Sequence, residues 1–369
     1  MKIIIRNCNV AELDIPLKYA TKLYNEFAIR HPNAFYLRTR QRGMQNWDGK
    51  IKYITKTGQF KIGLLPSVYK RCIELGIKPI IVDMRQPLPK VSKVVTQIGK
   101  YKLRPEQEKA VKAILSNKLG ETPFQIGVLD YTVNAGKTLI MSALYLSYKK
   151  QLKTLLITND SDWLNQARDE FKQYLPGEDI TFVQGKVLNW SNFTIGMVQS
   201  ISRNMKYYQN ELAKIDMVLI DEADQGGSKQ YQNVITRLFN TRVRIGLSGT
   251  IYMSKLAKDK VKNMNLRCFF GDVLAEFKLK DSIKKGYSTK TIVKTVEGKP
   301  WFGNWESDCM AYNEIYDDSI TNNKIAWNMA LDRLKWNLNQ GRYPALVVCK
   351  HIAHCENLCK FFKERLDNT

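Results

Sequence analysis

A Gly-Lys-Thr tripeptide at positions 136–138 is the first place in the sequence where residue types and spacing suggest chemistry. It follows a short apolar run, residues 126–129, that predicts a buried strand, and it precedes an apolar stretch suited to begin a helix. Because the first N–H groups of a helix lack intrahelical partners and favour an anion, this arrangement is typical of a phosphate-binding loop. Gly136 lets the backbone approach phosphates, Lys137 can reach the β and γ oxygens, and the Thr138 hydroxyl can ligate Mg²⁺.

The loop departs from the full phosphate-loop pattern in one place. The pattern has a glycine five residues before Gly136, where this chain has Tyr131. The tripeptide alone is therefore also compatible with an ordinary helix start that carries an exposed lysine. We include Asn134 and Ala135 in the predicted nucleotide-binding loop, and a second motif has to decide between the two interpretations.

Three carboxylates, those of Asp221, Glu222 and Asp224, follow another apolar run at residues 218–220. Carboxylates at the carboxyl end of a parallel strand lie in the crevice where such sheets bind ligands. Asp221 is suited to hold Mg²⁺, and Glu222 is suited to orient or deprotonate an attacking water. A solvated acidic turn would have the same composition, but the position downstream of a Gly-Lys-Thr loop favours a site that hydrolyses ATP.

Composition restricts the class of protein. The chain has 369 residues, 44% of them hydrophobic, which is enough for two or three domains with sizeable cores. We predict neither a membrane span nor a signal peptide, because the apolar segments are too short. The seven cysteines are scattered without the spacing of a disulfide scaffold, which favours reduced thiols and a cytoplasmic protein.

The net charge of +23 is concentrated near the N-terminus. The first 100 residues contain 19 Lys and Arg against 6 Asp and Glu, a net charge of +13. A field of this sign concentrates polyanions, and nucleic acid, DNA in particular, is the partner we expect. General solubility or an AT-rich genome that encodes many lysines would produce the same excess.

A basic hairpin is predicted in the same region. Residues 35–40 and 50–54 alternate in polarity around Asp48-Gly49, a pair typical of a hairpin turn. Rows of cations beside Tyr36 and Trp47 suit phosphate contact and base stacking, although an ordinary solvated face with Trp47 as a hydrophobic plug is the alternative. The predicted nucleic-acid contacts of this region are Arg38, Arg40, Arg42, Trp47, Lys50 and Lys52.

Further polar residues flank the predicted strands. Gln107 opens a predicted helix upstream of the phosphate loop, where an amide can pair with the donor and the acceptor of adenine, or simply provide a polar helix start. Gln166 and Gln199 follow predicted strands and are suited to hold nucleic-acid phosphates, with helix capping as the alternative. The residues predicted to couple nucleotide state to motion are Asp224, Ser248 and Thr250. Strands that alternate with helices predict an α/β fold with a parallel, doubly wound sheet.

These motifs come in the order of the superfamily 2 helicase motifs. The sequence resembles that superfamily and, more narrowly, the UvsW-type recombination helicases of tailed phages. The motifs that carry the wider resemblance are Gln107, Gly136-Lys137-Thr138, Gln166, Gln199, Asp221-Glu222-Ala223-Asp224 and Ser248-Gly249-Thr250. The narrower resemblance rests on Asn46-Trp47-Asp48-Gly49, Gly63-Leu64-Leu65-Pro66 and residues 350–354. Asn159 stands where the family often has proline, in the segment that would grip a strand.

The resemblance implies an ATP- and Mg²⁺-dependent motor that remodels branched DNA (forks, Holliday junctions and RNA–DNA loops) in recombination, repair or replication. It implies a RecA-like parallel sheet with helices on both faces. We expect a basic α+β nucleic-acid-binding domain at residues 1–95, a RecA-like lobe at 96–285, and a linker with the start of a second such lobe at 286–369. An RNA helicase, or a nucleic-acid-binding fragment that binds ATP with an incomplete motor, are the alternatives.

The last predicted elements are a helical segment at 313–338, a strand at 344–350 and a helix at 351–366. The strand and the final helix resemble the opening of a second RecA-like lobe, but no segment after His351 provides an arginine motif that faces ATP. Such an arginine contributes ~10³–10⁵ in rate in related phosphate chemistry. We therefore expect weak or no ATP hydrolysis by this chain alone, whether it is the product of a split gene or a fragment.

The final predicted helix contains His351, His354, Cys355 and Cys359. One short helix cannot surround a tetrahedral ion, so we do not predict a zinc site. Cys355 and Cys359 have the spacing of neighbours on one helix face, and we expect both in the core.

Overall fold

The computed structural model describes residues 1–41, 43–91, 93–185, 189–252, 257–290, 316–342 and 345–366. The chain divides into two compact units, Met1–Lys290 and Thr291–Thr369, each of which we describe by itself. None of the described helices combines the length and the apolar composition that crossing a membrane requires.

The first unit begins with a four-stranded sheet in the order β5-β2-β1-β6. Ile3 and Ile5 of its first strand are fully buried whereas Lys2 is exposed, the period-two pattern of a strand with one buried face. The elements of this region are β1 (Lys2–Ile5), β2 (Val10–Asp14), α1 (Leu17–Glu26), β3 (Ala28–Arg30), α2 (Ala34–Arg40), β4 (Lys50–Lys52), β5 (Gln59–Lys61), α3 (Leu65–Glu74) and β6 (Ile80–Asp83).

The predicted first strand of the basic hairpin, residues 35–40, is wrong, because this segment lies in helix α2. β4 pairs antiparallel with β3 instead, so that Ala28 lies opposite Lys52. The alternation that suggested a strand does not reflect burial, since 80% of Phe35 and 53% of Tyr36 are exposed. Where neither side of a segment is buried, alternation of polar and apolar residues does not indicate a β-strand.

The second sheet of this unit, which we call the large sheet, has seven parallel strands in the order β13-β14-β12-β15-β16-β11-β17. β11, β15 and β16 are buried along their whole length, as expected for strands covered on both faces. The predicted α/β fold with a parallel sheet is confirmed. The strands are β11 (Ile126–Tyr131), β12 (Thr154–Thr158), β13 (Ile180–Val183), β14 (Phe193–Met197), β15 (Met217–Asp221), β16 (Val243–Ser248) and β17 (Val273–Phe277), preceded by short ladders of β7 (Gln97–Ile98) with β8 (Tyr101–Lys102) and β9 (Lys118–Leu119) with β10 (Thr122–Pro123).

The register of the central strands brings the sequence motifs to one edge. Asp130 of β11 lies opposite Ser248 of β16, and Asp221 of β15 lies opposite Leu247. Because the strands are parallel, the loops that follow β11, β15 and β16 leave the sheet side by side, at what we call its carboxyl edge.

Helices join the large sheet to the N-terminal strands. The apolar core that contains Ile3 and Ile5 of β1 also contains Phe269 and Phe270, so the two layers form one compact unit. The helices of this part are α4 (Pro105–Leu115), α5 (Lys137–Ser147), α6 (Ser161–Tyr174), α7 (Val198–Arg203), α8 (Met205–Leu212), α9 (Lys229–Ile235), α10 (Ala257–Phe270) and α11 (Leu279–Lys284).

The second unit contains a π-helical turn (Asp317–Thr321) and helices α12 (Lys324–Asn339) and α13 (Ile352–Leu366). Of the helical segment predicted at 313–338, residues 313–315 lie outside the described residues. Asn323 divides the remainder, because its side chain accepts from Ile325 N and Ala326 N and so caps the start of α12. The two helices pack around Trp327 and Phe361.

Two predictions for this unit are wrong. Residues 345–349 form no strand: 88% of Leu346 and 82% of Val348 are exposed, and no described strand of the unit lies beside them to pair; Pro344 lies outside the described residues. Cys355 and Cys359 are exposed rather than in the core, because α13 turns His354 inwards instead, where it stacks on Trp327 with ring centres 5.9 Å apart.

Candidate functional site

The loop between β11 and α5 has the backbone shape of an anion site. α5 begins at Lys137, and Gly136 before it has φ 73° and ψ 48°, a left-handed conformation that favours glycine. Asn134 is also left-handed, with φ 64°. Within the described chain no side chain caps this helix start, so its first N–H groups remain open to an anion.

Gln107 is bound into this loop. Its side chain is only 2% exposed; Nε2 donates to Ala135 O at 2.8 Å, and Oε1 accepts from Arg104 N at 2.8 Å. A Cβ on residue 136 would come within 2.4 Å of Gln107 Nε2, so the contact also requires Gly136. The amide that was predicted to bind adenine therefore supports the loop backbone with one N–H and one lone pair, and a second N–H and a second lone pair remain for another partner.

The structure places the first two motifs together, although they lie 85 residues apart in the chain. Lys137 Nζ is 3.2 Å from Asp221 Oδ1 and 3.2 Å from Glu222 Oε1. Burial opposes the charged form of Lys137, but the two carboxylates outweigh burial and raise its pKa above the ordinary value. An anion that draws Lys137 towards itself would release both carboxylates.

The acidic loop is held in a strained conformation. Glu222 has φ 50° and ψ 52°, which costs a non-glycine residue about 1–3 kcal/mol. Asp221 is 5% exposed, and apart from its ion pair with Lys137 its Oδ1 has no hydrogen bond in the part of the chain that the structure describes. A buried carboxylate oxygen with unused lone pairs is suited to ligate Mg²⁺.

Ser248 connects the acidic loop to the next strand. Its Oγ donates to Asp224 Oδ1 at 3.2 Å, accepts from Thr250 N at 3.2 Å and lies 3.3 Å from Thr250 Oγ1. Between the two, Gly249 packs on the phosphate loop so closely that a Cβ would lie 3.2 Å from Thr132 Cα. The three predicted coupling residues are therefore in contact with one another, and their loop touches the phosphate loop.

Tyr231 was not predicted from the sequence, yet it lies beneath the acidic loop. It is 1% exposed, and its hydroxyl has no hydrogen bond to a described residue. Burial raises the pKa of Tyr231, and the carboxylates of Asp221, Asp224 and Glu222 raise it further. The sequence around Tyr231 does not indicate a position near the acidic loop, because that position depends on how α9 packs.

Arg104 is a second residue that the sequence interpretation missed. Its guanidinium lies 4.0 Å from the centre of the Tyr287 ring, and its Nη1 donates to Asn134 O at 3.5 Å. Lys285 Nζ lies 2.6 Å from Glu106 Oε2. These contacts fix residues 285–287 beside the phosphate loop. The position of Arg104 before the proline that begins α4 indicated a residue at a helix start. Its contact with Tyr287 could not be predicted, because the two residues are far apart in the sequence.

The predicted nucleic-acid contacts of the N-terminal region differ in how free they are. Arg38 and Arg40 are exposed on α2, and the Arg40 guanidinium lies 4.8 Å from the centre of the Tyr36 ring. Lys50 is also exposed, on β4. Arg42 lies outside the described residues.

Trp47 and Lys52 are engaged within the protein. Trp47 Nε1 donates to Lys50 O at 3.0 Å. Lys52 Nζ lies 3.3 Å from Asp48 Oδ2 and 4.6 Å from the centre of the Tyr24 ring. To contact nucleic acid, either side chain would have to give up these interactions.

The two glutamines of the large-sheet region are placed differently. Gln166 is exposed on α6 and donates to Glu170 Oε1 at 3.0 Å. Gln199 follows β14, donates to Asn159 O at 3.2 Å, and has a buried Oε1 without a partner among the described residues. Gln199 therefore positions Asn159, the residue that stands where UvsW-type helicases often have proline.

Comparison with known sequences agrees with the resemblance. Residues 100–253 match the family described as Type III restriction enzyme, res subunit. The chain is 23% identical over 351 residues to the ATP-dependent DNA helicase UvsW of Enterobacteria phage T4, covering 87% of this chain and 65% of that protein. It is 26% identical over 147 residues to a protein of Acanthamoeba polyphaga mimivirus whose name includes "ATP-dependent RNA helicase", covering 40% of this chain and 27% of that protein. The chain thus spans less than two thirds of the length of either relative.

Two solved structures share the fold. The crystal structure of the UvsW helicase from bacteriophage T4 superposes with a TM-score of 0.58 at 20% identity, covering 74% of this chain and 100% of that chain. A second crystal structure of T4 UvsW gives 0.57 at 19% identity, covering 99% of this chain and 73% of that chain. The predicted RecA-like fold and the resemblance to UvsW-type helicases are confirmed.

Proposed function

We propose that the chain is the ATP-binding part of a DNA helicase that remodels branched DNA. The observation that carries this proposal is the position of Lys137, at the start of a helix and 3.2 Å from carboxylate oxygens of both Asp221 and Glu222. The sequence similarity to UvsW over 87% of the chain supports it independently.

The residues fit Mg²⁺-ATP. Two oxygens would hold the ion: the buried Asp221 Oδ1, which has no hydrogen bond to a described residue, and the Thr138 hydroxyl in the first turn of α5. The ion would neutralise charge on the transferred phosphoryl group. Lys137 would exchange its two carboxylates for phosphate oxygens, and the open N–H groups of α5 would bind others. Glu222, thereby freed, would orient an attacking water and accept its proton at Oε1.

Coupling to motion would use the loop of Ser248 and Thr250. Ser248 is bonded to Asp224 on one side, while Gly249 touches the phosphate loop on the other. A change in the acidic loop on nucleotide binding would therefore reach β16 directly. The basic residues 1–95, with Arg38, Arg40 and Lys50 exposed, would bind DNA phosphates.

The test of nucleotide binding is a Lys137→Ala variant of the whole chain. We expect its affinity for Mg²⁺-ATP to fall about 10- to 100-fold, because charged hydrogen bonds to phosphate are lost. The control is Lys172→Ala, which removes an exposed lysine of α6. Equal ATP affinity in the two variants would contradict the assignment of the loop.

The mimivirus relative makes an RNA helicase the second candidate, and matched substrates separate the two. ATP turnover is measured with forked DNA and with duplex RNA of equal length and charge. DNA helicase function predicts the larger stimulation by forked DNA; larger stimulation by RNA supports the second candidate. Tight ATP binding with no turnover on either substrate would identify a binding module whose motor is incomplete.

A further inference from the structure

A cleft opens at the opposite end of the large sheet, its amino edge, where the N-terminal strands join it. The cleft has two parts, of about 660 Å³ and about 590 Å³, and Arg85, Arg242 and residues 87–89 line both. Arg242 directly precedes β16, a strand of six residues whose far end is Ser248. At about 3.3 Å per residue, the strand separates this cleft from the nucleotide loop by about 20 Å.

Two arginines on the floor of the cleft share a single carboxylate. Arg85 binds Asp83 through two bonds, Nε to Oδ1 and Nη2 to Oδ2, each 2.8 Å long. Arg242 Nη2 lies 3.4 Å from Oδ2 of the same carboxylate, a longer and weaker contact than the two bonds of Arg85. The group of three side chains therefore keeps a net charge of +1.

The N–H groups of Arg242 are only partly paired, since the one acceptor recorded for its side chain among the described residues is the Asp83 carboxylate, 3.4 Å from Nη2. The side chain is in a residue only 7% exposed, and its buried Nε has no hydrogen-bond acceptor among the described residues. Burial, followed by repulsion from Arg85, lowers the pKa of Arg242 below its ordinary value. A buried cation is costly unless an anion pairs with it, so this environment is short of one negative charge.

Arg244, two residues further along, shows how a structural arginine is satisfied in the same layer. It is fully buried; its Nη2 donates to Cys8 O and Asn9 Oδ1, both at 2.8 Å, and its Nη1 donates to Phe269 O at 3.2 Å. These bonds tie the N-terminal segment to α10. The Nε of Arg244 is also unpaired among the described residues, but both of its terminal nitrogens donate hydrogen bonds. Arg242, which lines the cleft, has only the longer contact of its Nη2 with Asp83.

The other carboxylate of the larger part, that of Asp216, does not compensate Arg242. Asp216 Oδ2 accepts from Lys153 N at 3.0 Å at the start of β15. Burial raises the pKa of Asp216, against the opposing effects of its hydrogen bond with Lys153 N and of the Lys153 charge. Arg6 and Lys214 line the same part and add positive charge at its rim.

We propose that this cleft binds a phosphate group, with Arg242 as its ligand on the floor and Arg6 and Lys214 at the rim. The planar guanidinium donates two parallel N–H bonds to such an oxyanion. Arg6 and Lys214 are 50% and 60% exposed and pair with Glu12 and Glu211, and exposed pairs of this kind are weak enough to be exchanged. The phosphate is either part of a nucleic-acid backbone or free inorganic phosphate, and no residue assigned to ATP hydrolysis takes part.

The first experiment titrates inorganic phosphate into the whole chain at constant ionic strength, with chloride as the replaced salt, and follows the temperature of unfolding. Every protein carries Lys137→Ala to weaken phosphate binding at the nucleotide loop. We expect Arg242→Gln to weaken phosphate affinity about tenfold or more. The control Arg237→Gln removes the same charge from an exposed position nearby and should leave the affinity unchanged.

A rim variant protects the test against loss of folding. Arg6→Gln combined with Lys214→Gln changes two side chains that are at least half exposed, so folding should be unaffected. We expect this double variant to weaken phosphate affinity about threefold. If Arg242→Gln does not fold, the rim variant decides the outcome against the same control.

The second experiment identifies the source of the phosphate with a short DNA duplex. If DNA provides it, Arg242→Gln lowers the slope of log affinity against log salt concentration by about one, and Arg237→Gln does not. If free phosphate is the ligand, only the first experiment responds. The proposal is overturned if the Arg242 and rim variants behave like Arg237→Gln in both experiments.

Discussion

At the carboxyl edge of the large sheet one lysine lies between two carboxylates, whereas at the amino edge two arginines share one carboxylate. The first arrangement has a net charge of −1 and its lysine is already paired, so Mg²⁺-ATP has to displace Asp221 and Glu222 from Lys137. The second arrangement has a net charge of +1, which a bound anion would neutralise. At the carboxyl edge a ligand therefore exchanges partners with groups that are already paired, whereas at the amino edge an anion would pair with a buried cation that shares its one carboxylate.

We expect the largest effect from Glu222→Gln, which alters one carboxylate beside Lys137 and leaves the other in place. In Glu222→Gln, Lys137 keeps its ion pair with Asp221, so we expect ATP affinity to stay within about threefold. Loss of the base should lower the weak ATP turnover that we expect of the unaltered chain on forked DNA by about 10²–10⁴, which would bring it to the uncatalysed background. Phosphate release and nucleotide binding are measured together, with exposed Glu356→Gln as the control. Turnover that survives in Glu222→Gln would assign the water-activating role to another residue.

The next effect contrasts the two arginines of the amino edge. Arg244→Met leaves buried acceptors at Cys8, Asn9 and Phe269 without donors, and we expect unfolding free energy to fall by about 2–4 kcal/mol. Arg242→Met leaves Asp83 paired with Arg85, so a change within about 1 kcal/mol, or a gain, is expected. Urea denaturation of both variants measures the difference. A large loss in Arg242→Met would give that residue a structural role.

The carboxyl edge could be predicted from sequence because its information is local. The apolar runs before Gly136 and Asp221 form buried parallel strands, and parallel strands place the following loops together. The amino edge could not be predicted, because Arg244 and its partner Cys8 lie 236 residues apart. The failure at residues 35–40 has another cause: alternation indicates a strand only where one face is buried, and Phe35 is not.

A smaller effect tests how the nucleotide loop is shaped. Gly136→Ala places a Cβ at φ 73° and 2.4 Å from Gln107 Nε2, so we expect a loss of about 1–2 kcal/mol of unfolding free energy. In the Gln107→Ala background the steric part disappears while the backbone strain remains. A double-mutant cycle by urea denaturation should therefore show that the glycine substitution costs less in that background. Strictly additive losses would mean that the amide moves aside without penalty.

The smallest effect is the dependence of stability on pH at Lys137. Its pKa is raised above the ordinary value of 10.5 by Asp221 and Glu222 against the opposing effect of burial, so the folded state holds the proton more tightly than the unfolded state. The stabilisation is complete below about pH 10.5 and is lost as the pH rises through the higher folded pKa. We expect the stability difference between the unaltered chain and Lys137→Met to shrink from pH 9 to pH 12. Because buried tyrosines also titrate in this range, the exposed-lysine variant Lys172→Met is measured in parallel. If the stability difference between the unaltered chain and Lys137→Met grows with pH instead, burial lowers the pKa of Lys137 by more than the two carboxylates raise it.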